Sequence, residues 1–244
     1  MKFGILGEIE VRNSGKAVPL GGVKRKRVLA SLLLSANKTV SMERLTQNVW
    51  DEHLPENERT SLQMHVSRLR RIIANAPGVS IEATDAGYQL LIPRNSLDLE
   101  EFRRIVVDAK TTEAPSGALE KLREARRLWR DYPLSGIASN SLSQRTVGLV
   151  EEYWEAVEMC VQIELDLGMY NKVIAEIPHF VHVSPFRERL SDLWMTALHH
   201  SGQRAAALDV YRATQNRLQR ELGVAPGPQL QRRNAAVLNN DLTQ

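Results

Sequence analysis

A single cysteine, Cys160, stands among 244 residues. No disulfide can form within the chain, and no cysteine metal cluster can be assembled. Long apolar runs are missing as well. No window approaches the roughly eighteen apolar residues of a membrane span. The opening MKFGILGEIEV, interrupted by Glu8 and Glu10, has neither the apolar core nor the cleavage site of a signal peptide. The expectation is a cytoplasmic protein with no membrane partner. GGVKRKR has glycine and lysine but not the spacing of a phosphate loop. His179, His182, His199 and His200 bring no converging carboxylates, so no metal and no other cofactor is expected. No Ser-His-Asp or Cys-His arrangement is suggested by spacing, and the chain is read as not an enzyme. Aromatic residues make up only 5% of the chain. Trp129, Tyr153, Trp154 and Trp194 read as helix-packing anchors. One further absence is local: no acid lies between Arg59 and Glu82.

What is present is a globular composition, 43% hydrophobic and 25% charged, long enough for one or two domains. The net charge of +3 is unevenly spread. Residues 1–96 carry 14 Lys/Arg against 9 Asp/Glu, and the remainder carries 18 against 20. One half is basic and anion-seeking; the other is nearly neutral.

The basic half opens with FGILGEIEVR, a turn at NSG, and KAVPL, read together as a small antiparallel sheet. VKRKRVLASLLLSAN places Val28, Leu29, Leu32 and Leu33 at helical spacing. Lys24 to Arg27 sit on its first turn, where cations oppose the helix dipole and a phosphate would favour them. TVSMERLTQNVW predicts a short helix capped by Ser41, with Arg44 three residues on. After the acidic loop DEHLPENE comes a third helix, RTSLQMHVSRLRRII, stopped at NAPG. VSIEATDAGYQLLI reads as two strands turning at TDAG.

PRNS, Pro93 to Ser96, marks a boundary, and everything beyond it is helical in pattern. PLSGIASNSLSQ reads as a loop of small residues. VGLVEEYWEAVEMCVQIELDLGMY reads as a long helix ending at a glycine. Gly168 and Gly202 each close a helix 34 residues apart, the tetratricopeptide period. Ala206, Ala207 and Pro226 fall where that repeat wants small residues and a terminal proline. Two to three degenerate helix-pair repeats are expected, stacked into a partner-binding surface.

On a 100° wheel the third helix buries Leu62, Val66, Leu69 and Ile73, which fall within about 60° of one another. Its opposite face holds Thr60, Gln63, Met64, Ser67, Arg68 and Arg71, with Arg70 at the border. A salt-bridged surface helix would carry glutamates four residues from these arginines, and this one carries none. Cations, hydroxyls and an amide without an anion are the groups that bond phosphate oxygens and base edges in a major groove. A helix followed directly by a hairpin is the layout of a winged helix-turn-helix.

RTSLQMHVSRLRRII followed by AGYQL resembles the DNA-binding domain of response regulators of the OmpR type. GYQLLIPRNSLDLEEFRRIV, ALEKLREARRLWRDYPL and ALHHSGQRAAALDVYRATQNRLQRELGVAPGPQL resemble the Streptomyces antibiotic regulatory protein (SARP) family across nearly the whole chain. The resemblance implies an α+β N-terminal winged helix-turn-helix, followed by an all-α tetratricopeptide-like helical domain. Residues 1–94 would be the DNA-binding domain and 97–244 a bacterial transcriptional activation domain. It also implies binding to direct repeats upstream of or overlapping the −35 element. Recruitment of RNA polymerase holoenzyme, through the sigma factor and other subunits, would follow at secondary-metabolite (antibiotic) genes. The wing would comprise Thr84, Gly87 and Tyr88. Response regulators often carry an arginine just before this Gly-Tyr pair. Here Asp85 and Ala86 precede it, so no base contact is expected from the wing tip.

The expected activity is therefore transcriptional activation from double-stranded promoter DNA, by a homodimer on tandem repeats. Base edges would be read by some of Thr60, Gln63, Met64, Ser67, Arg68 and Arg71. Phosphates would be held by Lys24, Arg25, Arg27, Arg59 and Arg70. Two alternatives stay open at this point: a protein-interaction adaptor built on the helical repeats, and a repressor using the same DNA contacts.

Overall fold

The computed structural model describes residues 1–51, 54–137 and 139–240. Glu52 and His53 of the acidic loop lie outside them. The chain forms two compact units. Unit 1 comprises residues 1–110 and 123–154; unit 2 comprises 111–122 and 155–244.

Unit 1 opens with strands β1 (Lys2–Gly4), β2 (Glu10–Asn13) and β3 (Lys16–Ala17), an antiparallel sheet in that order. Phe3 pairs with Val11, and both are buried. Ser14 and Gly15 turn the β2–β3 hairpin with φ of 48° and 80°. Two consecutive positive φ angles are what a two-residue turn needs to match strand twist. The free edge of β1 is taken by later chain. Phe3 N–H donates to the Ser96 carbonyl at 2.7 Å. The Asp98 carboxylate accepts the Ile5 and Leu6 N–H groups at 2.9 and 3.0 Å. Arg130 and Leu134 donate their N–H groups to the Leu6 and Ile5 carbonyls. The Arg130 guanidinium then bridges Glu10 at 2.7 Å and Asp98 at 3.1 Å.

Three helices follow: α1 (Val23–Leu33), α2 (Met42–Trp50) and α3 (Glu58–Ile73). Val28, Leu29, Leu45, Val49, Leu62, Val66 and Leu69 are all buried and supply their common core. Ser41 caps α2 as expected, its hydroxyl accepting the Arg44 N–H at 3.2 Å. A second sheet has the order β4 (Thr39–Ser41), β6 (Gly87–Leu91), β5 (Ser80–Ala83). β4 escaped the sequence pattern, because three residues are too few to display alternation. Gly87 has a steric role here. A Cβ at this position would lie 2.1 Å from the Val40 carbonyl oxygen. The remainder of unit 1 is helical. It holds α4 (Asp98–Lys110), the last turns of α5 (Pro115–Arg127) and the first half of α6 (Asn140–Asp166). α6 begins inside the stretch expected to be loop. Phe102, Trp129 and Tyr153 pack in series there, edge-on and tilted, at centroid separations of 5.4 and 4.8 Å.

Unit 2 is all-helical among the described residues, continuing with α7 (Tyr170–Val183), α8 (Glu188–His200), α9 (Arg204–Leu222) and α10 (Pro228–Asn239). The 34-residue period is visible in the hydrogen bonds. Gly168 and Gly202 have φ of 71° and 76°. Met169 and Gln203 each return an N–H to the carbonyl five residues back, Glu164 and Leu198, at 2.8 Å. Both helices thus end in the same Schellman cap. Met195, Leu198, Ala207, Val210, Leu230 and Val237 form the core of α8, α9 and α10. Asp192, almost fully buried, accepts from Arg189, Gln229 and Arg233 at 2.6, 2.9 and 2.8 Å, tying α10 to α8.

Candidate nucleic-acid interface

α3 separates its residues by angle into three faces. The buried stripe holds it to α1 and α2. The outward face presents Thr60, Gln63, Met64, Ser67, Arg68 and Arg71, all exposed. Met64 is 43% exposed although apolar. Among the described residues, none pairs with Arg59, Arg68 or Arg71. Acids are in reach of other cations: Lys26 pairs with Glu8 at 2.8 Å and Arg103 with Glu152 at 2.6 Å. The outward face therefore combines hydroxyls, an amide, a thioether and guanidinium groups with no carboxylate to neutralise them. That inventory can bond phosphate oxygens and base edges together.

The wing-side flank of α3 carries Arg70. Its Nε donates to the Ile81 carbonyl at 2.8 Å, and its guanidinium lies over the Tyr88 ring with a 5.8 Å separation. Arg70 was expected to hold phosphate. Its Nε and ring contact instead fasten α3 to the hairpin, while the residue as a whole stays exposed. Arg27 needs a similar correction. It is half-buried and turned inward, donating to the carbonyls of Ile137 at 3.1 Å and Val49 at 2.9 Å, with Asp51 at 3.8 Å. A guanidinium so engaged is withdrawn from any phosphate at the surface.

The wing residues named from sequence shape the hairpin. The Thr84 hydroxyl accepts the Gly87 N–H at 3.1 Å and closes the turn. Gly87 and Tyr88 are buried. Asp85 and Ala86 occupy the exposed tip.

The other flank of α3 faces the start of α1. Lys24 and Arg25 lie in its first turn, the former exposed and the latter half-buried. Lys24 Nζ lies 5.6 Å from the centre of the Trp50 ring. His65 lies against the same ring, with centroids 6.2 Å apart. Burial, followed by the charges of Arg25, Arg68 and Lys24, pushes the His65 imidazole below its ordinary value of 6.5. His65 was not among the expected site residues. Its signal in the sequence was positional: about 60° from Leu62 on the wheel, on the side away from Arg70.

A winged helix followed by paired helices with tetratricopeptide-type caps is the build of a transcription regulator. Residues 97–238 match the bacterial transcriptional activator domain, and residues 15–90 match the family described as transcriptional regulatory protein, C terminal. The chain belongs to the SARP family, which joins these two domains. It is 32% identical to the transcriptional regulatory protein EmbR of Mycobacterium tuberculosis over 98% of its own length and 63% of EmbR. It is 29% identical to the transcriptional regulator RedD of Streptomyces coelicolor, across 99% of this chain and 71% of RedD. The regulatory protein AfsR of Streptomyces coelicolor is 30% identical over 99% of this chain, which spans 24% of AfsR. The solved structure of M. tuberculosis EmbR in complex with a low-affinity phosphopeptide superposes with a TM-score of 0.92 at 31% identity. That match covers all of this chain and 66% of the other. These relatives are transcription regulators rather than enzymes. No helix among the described residues is long and apolar enough to cross a membrane.

Proposed function

We propose that the chain binds promoter DNA by laying α3 in the major groove and activates transcription by contacting RNA polymerase holoenzyme. The observation that carries this reading is the outward face of α3: six exposed polar, cationic or thioether side chains with no carboxylate among them. Thr60, Gln63, Met64, Ser67 and Arg71 face the base edges, joined by Arg68 at the margin. Arg59, Lys24 and Arg25 hold phosphates. The wing is set by Arg70 beside this face and contributes backbone proximity, with Asp85 keeping its tip off the phosphates. A homodimer occupies tandem repeats near the −35 element at secondary-metabolite genes, as the family resemblance implies, and the protein acts in the cytoplasm.

The test is the pair Arg68→Ala with Arg71→Ala, measured by anisotropy on promoter fragments across a salt series. DNA binding predicts a marked loss of affinity with the substitutions and a wild-type affinity that falls steeply as salt rises. Affinity that neither falls with the substitution nor with salt rejects the reading. Activation rather than repression is favoured by the match of more than half the chain to a transcriptional activator domain. Transcription in vitro with purified polymerase decides it: more transcript on addition of the protein is expected, and less would leave a repressor.

A further inference from the structure

Three cationic side chains act on His65, which lies against Trp50. They are Lys24 and Arg25 from α1, and Arg68 from α3, one turn from His65 on the flank facing α1. Lys24 and His65 both lie within about 6 Å of the indole. Arg25 is half-buried and folds back over Gly21, where a Cβ would come within 2.8 Å of its Nη1. Two atoms of the group are buried with no hydrogen-bond partner, Arg25 Nε and His65 Nδ1. Among the described residues, the charges acting on His65 are those of Arg25 and Lys24 of α1 and Arg68 of its own helix, all positive. Among the described residues, α2 places the Trp50 ring against His65. Gathering this much like charge on one flank is unfavourable unless an anion completes it. α1 also begins here with no acid in its first turn and no side-chain cap.

We propose that Lys24, Arg25, His65 and Arg68 form one site for a DNA backbone phosphate, and that His65 takes up a proton when the phosphate docks. This rests on the DNA-binding reading and deepens it. Arg68 then serves the phosphodiester, leaving the base edges to Thr60, Gln63, Met64, Ser67 and Arg71. The physical argument is reciprocal. In the free protein, burial and three neighbouring cations bias the imidazole toward its neutral form. A phosphate diester supplies a permanent negative charge and an acceptor oxygen, which favour imidazolium. Whatever a proton adds to phosphate affinity, phosphate adds to proton affinity. The proton comes from solvent, so affinity for duplex rises as pH falls.

The experiment uses the full chain and a mixed-sequence duplex of about 30 base pairs at low salt, where backbone contacts dominate. Anisotropy is read between about pH 6 and pH 8 for wild type and His65→Gln. Wild type should tighten by about three- to tenfold more than His65→Gln across that range, one proton allowing at most tenfold per pH unit. As a readout independent of the variant's folding, the His65 ring resonances of wild type are titrated by NMR with and without duplex. Their midpoint should move upward in the complex. Parallel pH slopes with an unmoved His65 midpoint overturn the proton-linked site while leaving DNA binding standing. A protein that binds no duplex at any pH overturns the DNA-binding reading, and this inference with it.

Discussion

Arg70 reaches from α3 to the wing: its Nε donates to the Ile81 carbonyl at 2.8 Å while its guanidinium covers the Tyr88 ring. α3 and the hairpin beside it are thereby held at one angle. Arg70→Ala should lower stability by about 1 kcal/mol, the lower range for a charged hydrogen bond at a partly exposed site. Arg70→Lys should not restore it, because an ammonium cannot stack on the ring as a guanidinium does. Urea denaturation of the two variants tests this, and full rescue by lysine would show that charge alone mattered.

Arg71 and Arg59 should behave differently on DNA. Arg71 sits at the centre of the outward face, so Arg71→Ala should cost about 1–3 kcal/mol on the specific site and relax preference at one base position. Arg59→Ala should weaken specific and mixed-sequence duplexes alike and flatten the salt slope by about 1. Binding selections on randomised duplexes distinguish them. Identical profiles for both variants would sink the division between base reading and phosphate holding.

Gly87→Ala should damage the wing more than its size suggests. The added methyl would stand 2.1 Å from the Val40 carbonyl oxygen and 2.9 Å from the Met42 nitrogen. Backbone on both sides cannot move aside cheaply, and overpacking of this kind costs about 1–3 kcal/mol or more. Thermal melting and the β4–β6 amide exchange rates would register it; unchanged exchange would mean the sheet has slack.

In unit 2 the sensitive carboxylate is Asp192, only 1% exposed and held by two arginines and a glutamine. Asp192→Ala strands those cations and should cost about 3–5 kcal/mol. Calorimetry should show the loss, with α10 amides exchanging first. A melting temperature equal to wild type would mean the network is replaceable by water.

Acid should affect His65 in opposite senses in the free and bound protein. Its folded value lies below the ordinary 6.5, so the stability tied to its neutral form is present above about that pH. That stability is lost as pH falls through the lowered folded value. The free protein should therefore weaken on acidification through His65 while the DNA complex tightens. Denaturation curves of wild type and His65→Gln at several pH values check the first half, with the difference between them expected to shrink as pH falls.

The sequence carried periodic features well. The α3 stripe, the Ser41 cap, the TDAG turn and the paired glycines at 168 and 202 all depend on local chemistry, and the structure shows each of them. What escaped depended on distance in the chain. Arg27 looked like its neighbours Lys24 and Arg25, and only the fold brings the Val49 and Ile137 carbonyls within its reach. Arg70 was one residue from Arg71 and equally cationic, yet 100° of helix turned it to the wing. The start of α6 lay hidden in SNSLSQ, where Ser and Asn favour caps and turns until tertiary contacts override them. Ser139 combines both: its hydroxyl accepts the Leu142 N–H three residues on, as a cap does, and donates to the distant Asn48 carbonyl.

The clasp on β1 bears on how this protein can be cut and recombined. Family descent divides the chain between residues 90 and 97. Compactness does not divide it there, since Asp98, Arg130 and Leu134 complete the hydrogen bonding of Ile5 and Leu6. A fragment ending at Ser96 would keep every residue of α3 and lose the partners of its first sheet. Exchanging the winged-helix module between relatives as a cassette would therefore mean carrying over residues well past the homology boundary, through the segment that holds Arg145 against Leu34 and Ser35. The inherited module and the foldable module are different lengths of chain.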